Sequence, residues 1–114
     1  MARLFGRDEQ AITAKLLGAD AAVSSTIAYS PTLRRALAAW DQGKQAEAIA
    51  QQEANAKLCS FFGAYESQAQ NVQKNIMGMV GMPVGPSRLP KRDLSADDAA
   101  KLKAQLTALN LLDA

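Results

Sequence analysis

The 114-residue chain has no histidine at all. That absence removes His-dependent nucleophilic triads, imidazole zinc sites and the commonest general base together. There is one cysteine, Cys59, so no internal disulfide can form. It falls in the apolar stretch Leu58-Cys59-Ser60-Phe61-Phe62, which marks it as a small core residue rather than a nucleophile. Aromatics make up only 5% of the chain, so its core must be built mostly from Leu, Ile, Val, Met and Ala. No stretch approaches the roughly 20 apolar residues that cross a bilayer. The opening Met1-Ala2-Arg3-Leu4-Phe5-Gly6-Arg7-Asp8 carries no apolar segment of signal-peptide length. A reducing, cytoplasmic location fits these features, and no membrane partner, metal or cofactor is expected.

An excess of one charge is also missing. The 13 basic and 11 acidic residues are interleaved and leave a net charge of +2, which does not advertise nucleic acid or an anionic surface as a partner. The densest basic cluster is Arg88, Lys91 and Arg92, set among prolines without aromatic interleaving. A solvated loop is the plain reading of it, and a phosphate-binding role the sharper alternative.

What is present reads as mostly α with one βαβ unit. Leu4-Phe5 is a short apolar strand end closed by Gly6. A helix starts at Asp8, with Ile12, Leu16 and Leu17 as its apolar positions and Gly18 as its stop. Residues 19–26 read as a second strand, apolar on both sides at Ala21, Ala22 and Val23, hence parallel to the first. Ser30-Pro31 is a good N-cap and first-turn pair for a helix with Leu33, Leu37 and Trp40, ended by Gly43. The spacing predicts a longer helix over 44–62 with a stripe of Ala46, Ile49, Ala50, Leu58, Phe61 and Phe62. It predicts a fourth helix over about 67–80, carrying Val72, Ile76, Met79 and Val80. Three prolines and two glycines within residues 81–90 exclude helix there. Ser95, with Asp98 three residues on, caps a last helix that buries Leu102, Leu106 and Leu109. Two parallel strands alone do not make a stable sheet, so the first 29 residues ask for neighbours that the rest of the chain does not supply.

Several motifs now stand in order: Gly6-Arg7-Asp8-Glu9, Gly18-Ala19-Asp20, Ser24-Ser25-Thr26, Gln73-Lys74-Asn75-Ile76-Met77, and Met82-Pro83-Val84-Gly85-Pro86-Ser87-Arg88-Leu89-Pro90. Together they resemble the dihydrodipicolinate synthase/N-acetylneuraminate lyase family, whose lyase members read G-x-D-E and then G-A-D-G-x-x-G-S-T-Y-N. The likeness runs over essentially the whole chain. It implies the C-terminal part of a (β/α)8 TIM barrel: the last two strands with their helix in residues 1–29, and the last barrel helix with a C-terminal helical subdomain in 30–114. A complete barrel of this type takes about 250 residues before additions.

The resemblance further implies a pyruvate-dependent class I aldolase, in which a lysine on the sixth strand forms a Schiff base with pyruvate. A tyrosine on the fifth strand moves protons, and a Gly-Thr-Thr or Ser-Thr motif after the second strand holds the carboxylate. All three would lie upstream of this sequence. The lysines here (Lys15, Lys44, Lys57, Lys74, Lys91, Lys101, Lys103) fall on expected helices or loops, so none is assigned as the nucleophile and no catalytic residue is expected in the chain. What carries over is a substrate-binding set, Gly6, Asp8, Glu9 and Ser25, which by resemblance would hydrogen-bond the hydroxyls of a sugar acid at the C-terminal strand ends. The alternative for Asp8 and Glu9 is that they merely cap the first helix. The chain departs from the family pattern at Ala21 and Ser24, which stand for glycines, with Ala22 between them, and at Ile27-Ala28, which stand for Tyr-Asn, with Tyr29 one place on. These departures bear on sugar specificity.

Three functional readings follow. The first is a segment of an enzyme that cleaves N-acetylneuraminate to N-acetylmannosamine and pyruvate, inactive alone. The second is a segment of a dihydrodipicolinate synthase-like enzyme acting on another 2-oxo acid. The third is a non-catalytic helical interaction module. The partners implied are a small-molecule substrate, a sugar acid or pyruvate, and a homotetramer for the full-length enzyme.

Overall fold

The computed structural model describes residues 1–65 and 69–112. The chain separates into two compact units, Met1–Cys59 and Ser60–Ala114.

In the first unit, strand β1 (Leu4–Phe5) pairs in parallel with β2 (Ala21–Ala22), with Leu4 opposite Ala21 and Phe5 opposite Ala22. Flanking backbone bonds lengthen the ladder, from Asp20 N to Arg3 O at 2.9 Å and from Val23 N to Phe5 O at 2.8 Å. The connection is a 3-10 turn (Asp8–Gln10) leading into helix α1 (Ala11–Leu16), so the expected βαβ unit is present. Its second strand is much shorter than residues 19–26. β1 offers only two residues to pair with, and Ser24 to Thr26 are drawn instead into a turn around Asp8.

Helix α1 stops where expected. Gly18 N donates to Lys15 O and Ala19 N to Ala14 O, the bond pattern that requires a left-handed residue at Gly18, whose φ is 92°. A Cβ at Gly18 would also come within 3.3 Å of the Arg3 guanidinium. Helix α2 (Thr32–Asp41) ends in the same pattern at Gly43. At its start, the Ser30 hydroxyl lies only 3.4 Å from Thr32 N and is engaged more closely with the Thr32 hydroxyl, at 2.9 Å.

Helix α1 packs on α2. Ile12, Ala36, Ala39 and Ala48 form a small-residue core with Trp40 against it. Leu16 and Leu17, expected to share the face of Ile12, are exposed instead, as are Leu4 and Val23. This six-residue helix has room to bury only one stripe, and α2 takes the one that holds Ala11, Ile12 and Ala14.

Helix α3 (Gln45–Ser60) corrects the sequence expectation most clearly. Ala46, Ile49 and Ala50 are exposed, while Ala48, Asn55 and Leu58 are buried. Leu58 and Phe61 of the expected stripe are buried as anticipated, but upstream of them the inward positions are Ala48 and then polar Asn55, whose partners hydrophobicity alone does not reveal.

In the second unit, a 3-10 turn (Phe61–Gly63) and α4 (Ala69–Met79) pack together, and α4 packs on α5 (Ala96–Ala108). Val72, Ile76, Leu102, Leu106 and Leu111 are buried, and Leu109 is not. The first residues of the helix expected over 67–80 lie outside the described residues. The Ser95 hydroxyl caps α5 by accepting from Asp98 N at 3.1 Å, as the sequence indicates. Residues 82–88 carry no regular secondary structure. Among the described residues no helix is long and apolar enough to cross a membrane.

Candidate functional site at the strand ends

Parallel strands joined by a helix bring their C-terminal ends to one side. Here that places Gly6, Asp8 and Glu9, after β1, beside Ser24, Ser25 and Thr26, after β2. Asp8 is buried. Its Oδ2 accepts from the Ser24 hydroxyl at 2.8 Å, Ser25 N at 3.1 Å, Thr26 N at 2.9 Å and the Thr26 hydroxyl at 2.8 Å. The Ser25 hydroxyl lies at 3.5 Å. Asp8 therefore does not cap a helix with its side chain. It fixes the conformation of the turn that presents Ser25. Its second oxygen, Oδ1, is buried and accepts from no side chain or backbone group of the described residues.

The backbone of Asp8 is held from α3. Gln52 Nε2 donates to Asp8 O at 2.9 Å, and Gln52 Oε1 accepts from Ile12 N at 3.0 Å. One turn further on, the fully buried Asn55 donates to the Thr26 hydroxyl at 3.0 Å and to the Thr32 hydroxyl at 3.1 Å. The Thr26 hydroxyl thus accepts from Asn55 and donates to Asp8 in one chain. Sequence reasoning missed Gln52 and Asn55. The available signal was an asparagine in the interior of an otherwise strong helix, a residue type that weakens a helix unless its side chain has other work.

Of the four residues expected to contact substrate, the structure brings Asp8 and Ser25 into direct contact. Glu9 is partly exposed and turned to Arg7, whose Nη2 donates to Oε1 at 2.8 Å. Its pKa is lowered by its own backbone N–H and then by Arg7. At Gly6 a Cβ would lie 3.9 Å from Val23 O, ordinary contact, so space alone does not demand glycine there. Ser25 is exposed and Asp8 is not.

Tyr29 lies beneath the turn, almost fully buried with its hydroxyl unpaired among the described residues. Burial raises its pKa, and Cys59 and Asp8 add to the effect. Cys59 sits within 3.8 Å of Asn55 Oδ1 and has its thiol pushed up to about 12 by burial, then by Glu9 and Asp8. Neither group is poised to act as a nucleophile near neutral pH. Among the described residues, no group of three Asp, Glu, Cys or His could hold a metal. No lysine lies on β1 or β2.

The model of the Dihydrodipicolinate synthetase family matches residues 1–109. The chain belongs to this family. It is 35% identical to the N-acetylneuraminate lyase of Rattus norvegicus over 118 aligned residues, covering 97% of this chain and 35% of that protein. It is 33% identical to the N-acetylneuraminate lyase of Homo sapiens, covering 96% of this chain and 34% of that protein. The fold is similar to Proteus mirabilis N-acetylneuraminate lyase, with a TM-score of 0.78 and 28% identity over 95% of this chain and 36% of the other. It is equally similar to YagE, a prophage protein of this family from E. coli K12 solved in complex with pyruvate. That match has a TM-score of 0.80 and 27% identity over 96% of this chain and 37% of the other. The chain thus spans about a third of the length of these family members.

Proposed function

We propose that this chain is the C-terminal segment of a pyruvate-dependent class I aldolase, with N-acetylneuraminate cleavage as the reaction of the full-length enzyme. In this reading residues 1–29 are the last two barrel strands with their helix, and 30–114 are the last barrel helix and the C-terminal subdomain. Gly6, Asp8, Glu9 and Ser25 meet the hydroxyl-rich tail of the sugar acid. The full-length enzyme is a cytoplasmic homotetramer.

The observation that carries the reading is the Asp8–Ser25 contact across the C-terminal ends of a parallel pair, the side on which barrel enzymes of this kind place their sites. The identity to two mammalian N-acetylneuraminate lyases supports the lyase branch. The division of labour is chemical. Asp8 spends one oxygen on the turn and keeps Ser25 oriented. Ser25 and Glu9 offer a hydroxyl and a carboxylate to sugar hydroxyls. Carbon–carbon cleavage needs an amine that withdraws electrons as a protonated imine, and neither strand here carries one. In this reading the chain by itself is inactive.

Two measurements test this. Incubation of the chain with pyruvate, borohydride reduction and mass spectrometry should give no adduct, and a stoichiometric pyruvyl adduct would defeat the inactivity. In the full-length enzyme, Ser25→Ala should raise KM for N-acetylneuraminate about tenfold and leave borohydride trapping of pyruvate unchanged. An unchanged KM removes Ser25 from the substrate site.

A further inference from the structure

We propose a second ligand site, unrelated to the strand ends: a phosphate-binding concavity between α4 and the proline-rich loop of the second unit. A concavity of about 740 Å³ is lined by Asn71 and Lys74 of α4 and by residues 84–91 of the loop, including Arg88 and Lys91. Among the described residues three cations line it, and no carboxylate does. Asp93, the one acid between Pro86 and Asp93 in sequence, lines an adjoining cavity instead and has its Oδ1 occupied by Ser87 N at 3.0 Å.

The loop is fastened in this form. The fully buried Asn71 accepts from the Ser87 hydroxyl at 2.6 Å through Oδ1 and donates through Nδ2 to Arg92 O. Lys74 Nζ donates to Pro86 O at 3.1 Å, which leaves its other two N–H groups available. The Arg88 guanidinium has no partner among the described residues.

A mobile loop would let like charges drift apart. A stapled loop holds Arg88 and Lys74 around one space, where an anion meets both charges at once. A planar guanidinium beside the Lys74 ammonium suits a tetrahedral dianion, which accepts several charge-assisted hydrogen bonds at once. The shared chemistry is that of inorganic phosphate and of phosphomonoesters.

Equilibrium dialysis of the full chain against inorganic phosphate, at constant ionic strength, tests the site. One saturable equivalent is expected, weakened about tenfold in Arg88→Gln and unchanged in Lys103→Gln on α5. Lys74→Met, which also loosens the loop, should weaken it further. A parallel arm with glycerol phosphate separates the two sources: tighter binding assigns the site to an ester, and equal or weaker binding to free phosphate. Non-saturable uptake, or saturable uptake that survives Arg88→Gln intact, would overturn the proposal.

Discussion

Asn55 donates its side-chain amide to the Thr26 hydroxyl at 3.0 Å, and that hydroxyl in turn donates to Asp8 Oδ2 at 2.8 Å. Three elements far apart in sequence are joined by this chain of bonds, and all three side chains are buried. Breaking one link leaves a polar group without water or partner.

Asn55→Ala should therefore destabilise the chain by about 2–3 kcal/mol in urea unfolding. A double-mutant cycle with Thr26→Val should show a coupling of about 1 kcal/mol. Strict additivity of the two substitutions would mean that the bond contributes nothing beyond packing.

The inward face of α3 is open to a direct comparison of adjacent positions. Ala48 is fully buried and Ile49 is 51% exposed. Ala48→Gln should cost about 2 kcal/mol or more by overpacking, and Ile49→Gln should stay within about 0.5 kcal/mol. The reverse order, measured in the same denaturant series, would show that Ile49 rather than Ala48 faces the core.

Cys59 makes a prediction in pH. Its thiol is raised from 9.0 to about 12 in the folded chain. At pH 8 alkylation by iodoacetamide should be at least about a hundredfold slower in the native chain than in urea. The raised value has a stability consequence whose sign is fixed. The neutral thiol favours the folded state fully below pH 9, and this contribution is lost as pH rises from about 9 through about 12. Rapid native-state alkylation at pH 8 would contradict the burial that causes the shift.

Much of the fold was legible because it rests on neighbours in sequence. A glycine needed in the left-handed region ends α1 and α2, and Ser95 reaches an amide three residues away. The pairing of Asp8 with Ser25 was foreseen only as a shared rim, through family motifs. That Asp8 would spend its carboxylate on the backbone and hydroxyls of residues 24–26 could not be read, because the turn has to close before those donors converge.

By itself, the sequence determined the helix ends, the βαβ order, the exclusion of histidine and disulfide chemistry, and the ordered motifs of the family. Those features depend on composition or on contacts a few residues apart. Only the tertiary structure decided which face of α3 turns inward, which leucines of α1 stay in water, and that Lys74 joins Arg88 and Lys91 around one concavity. Each of these depends on a partner brought from a distant part of the chain, and a buried polar side chain is indistinguishable from a solvated one until that partner is in place.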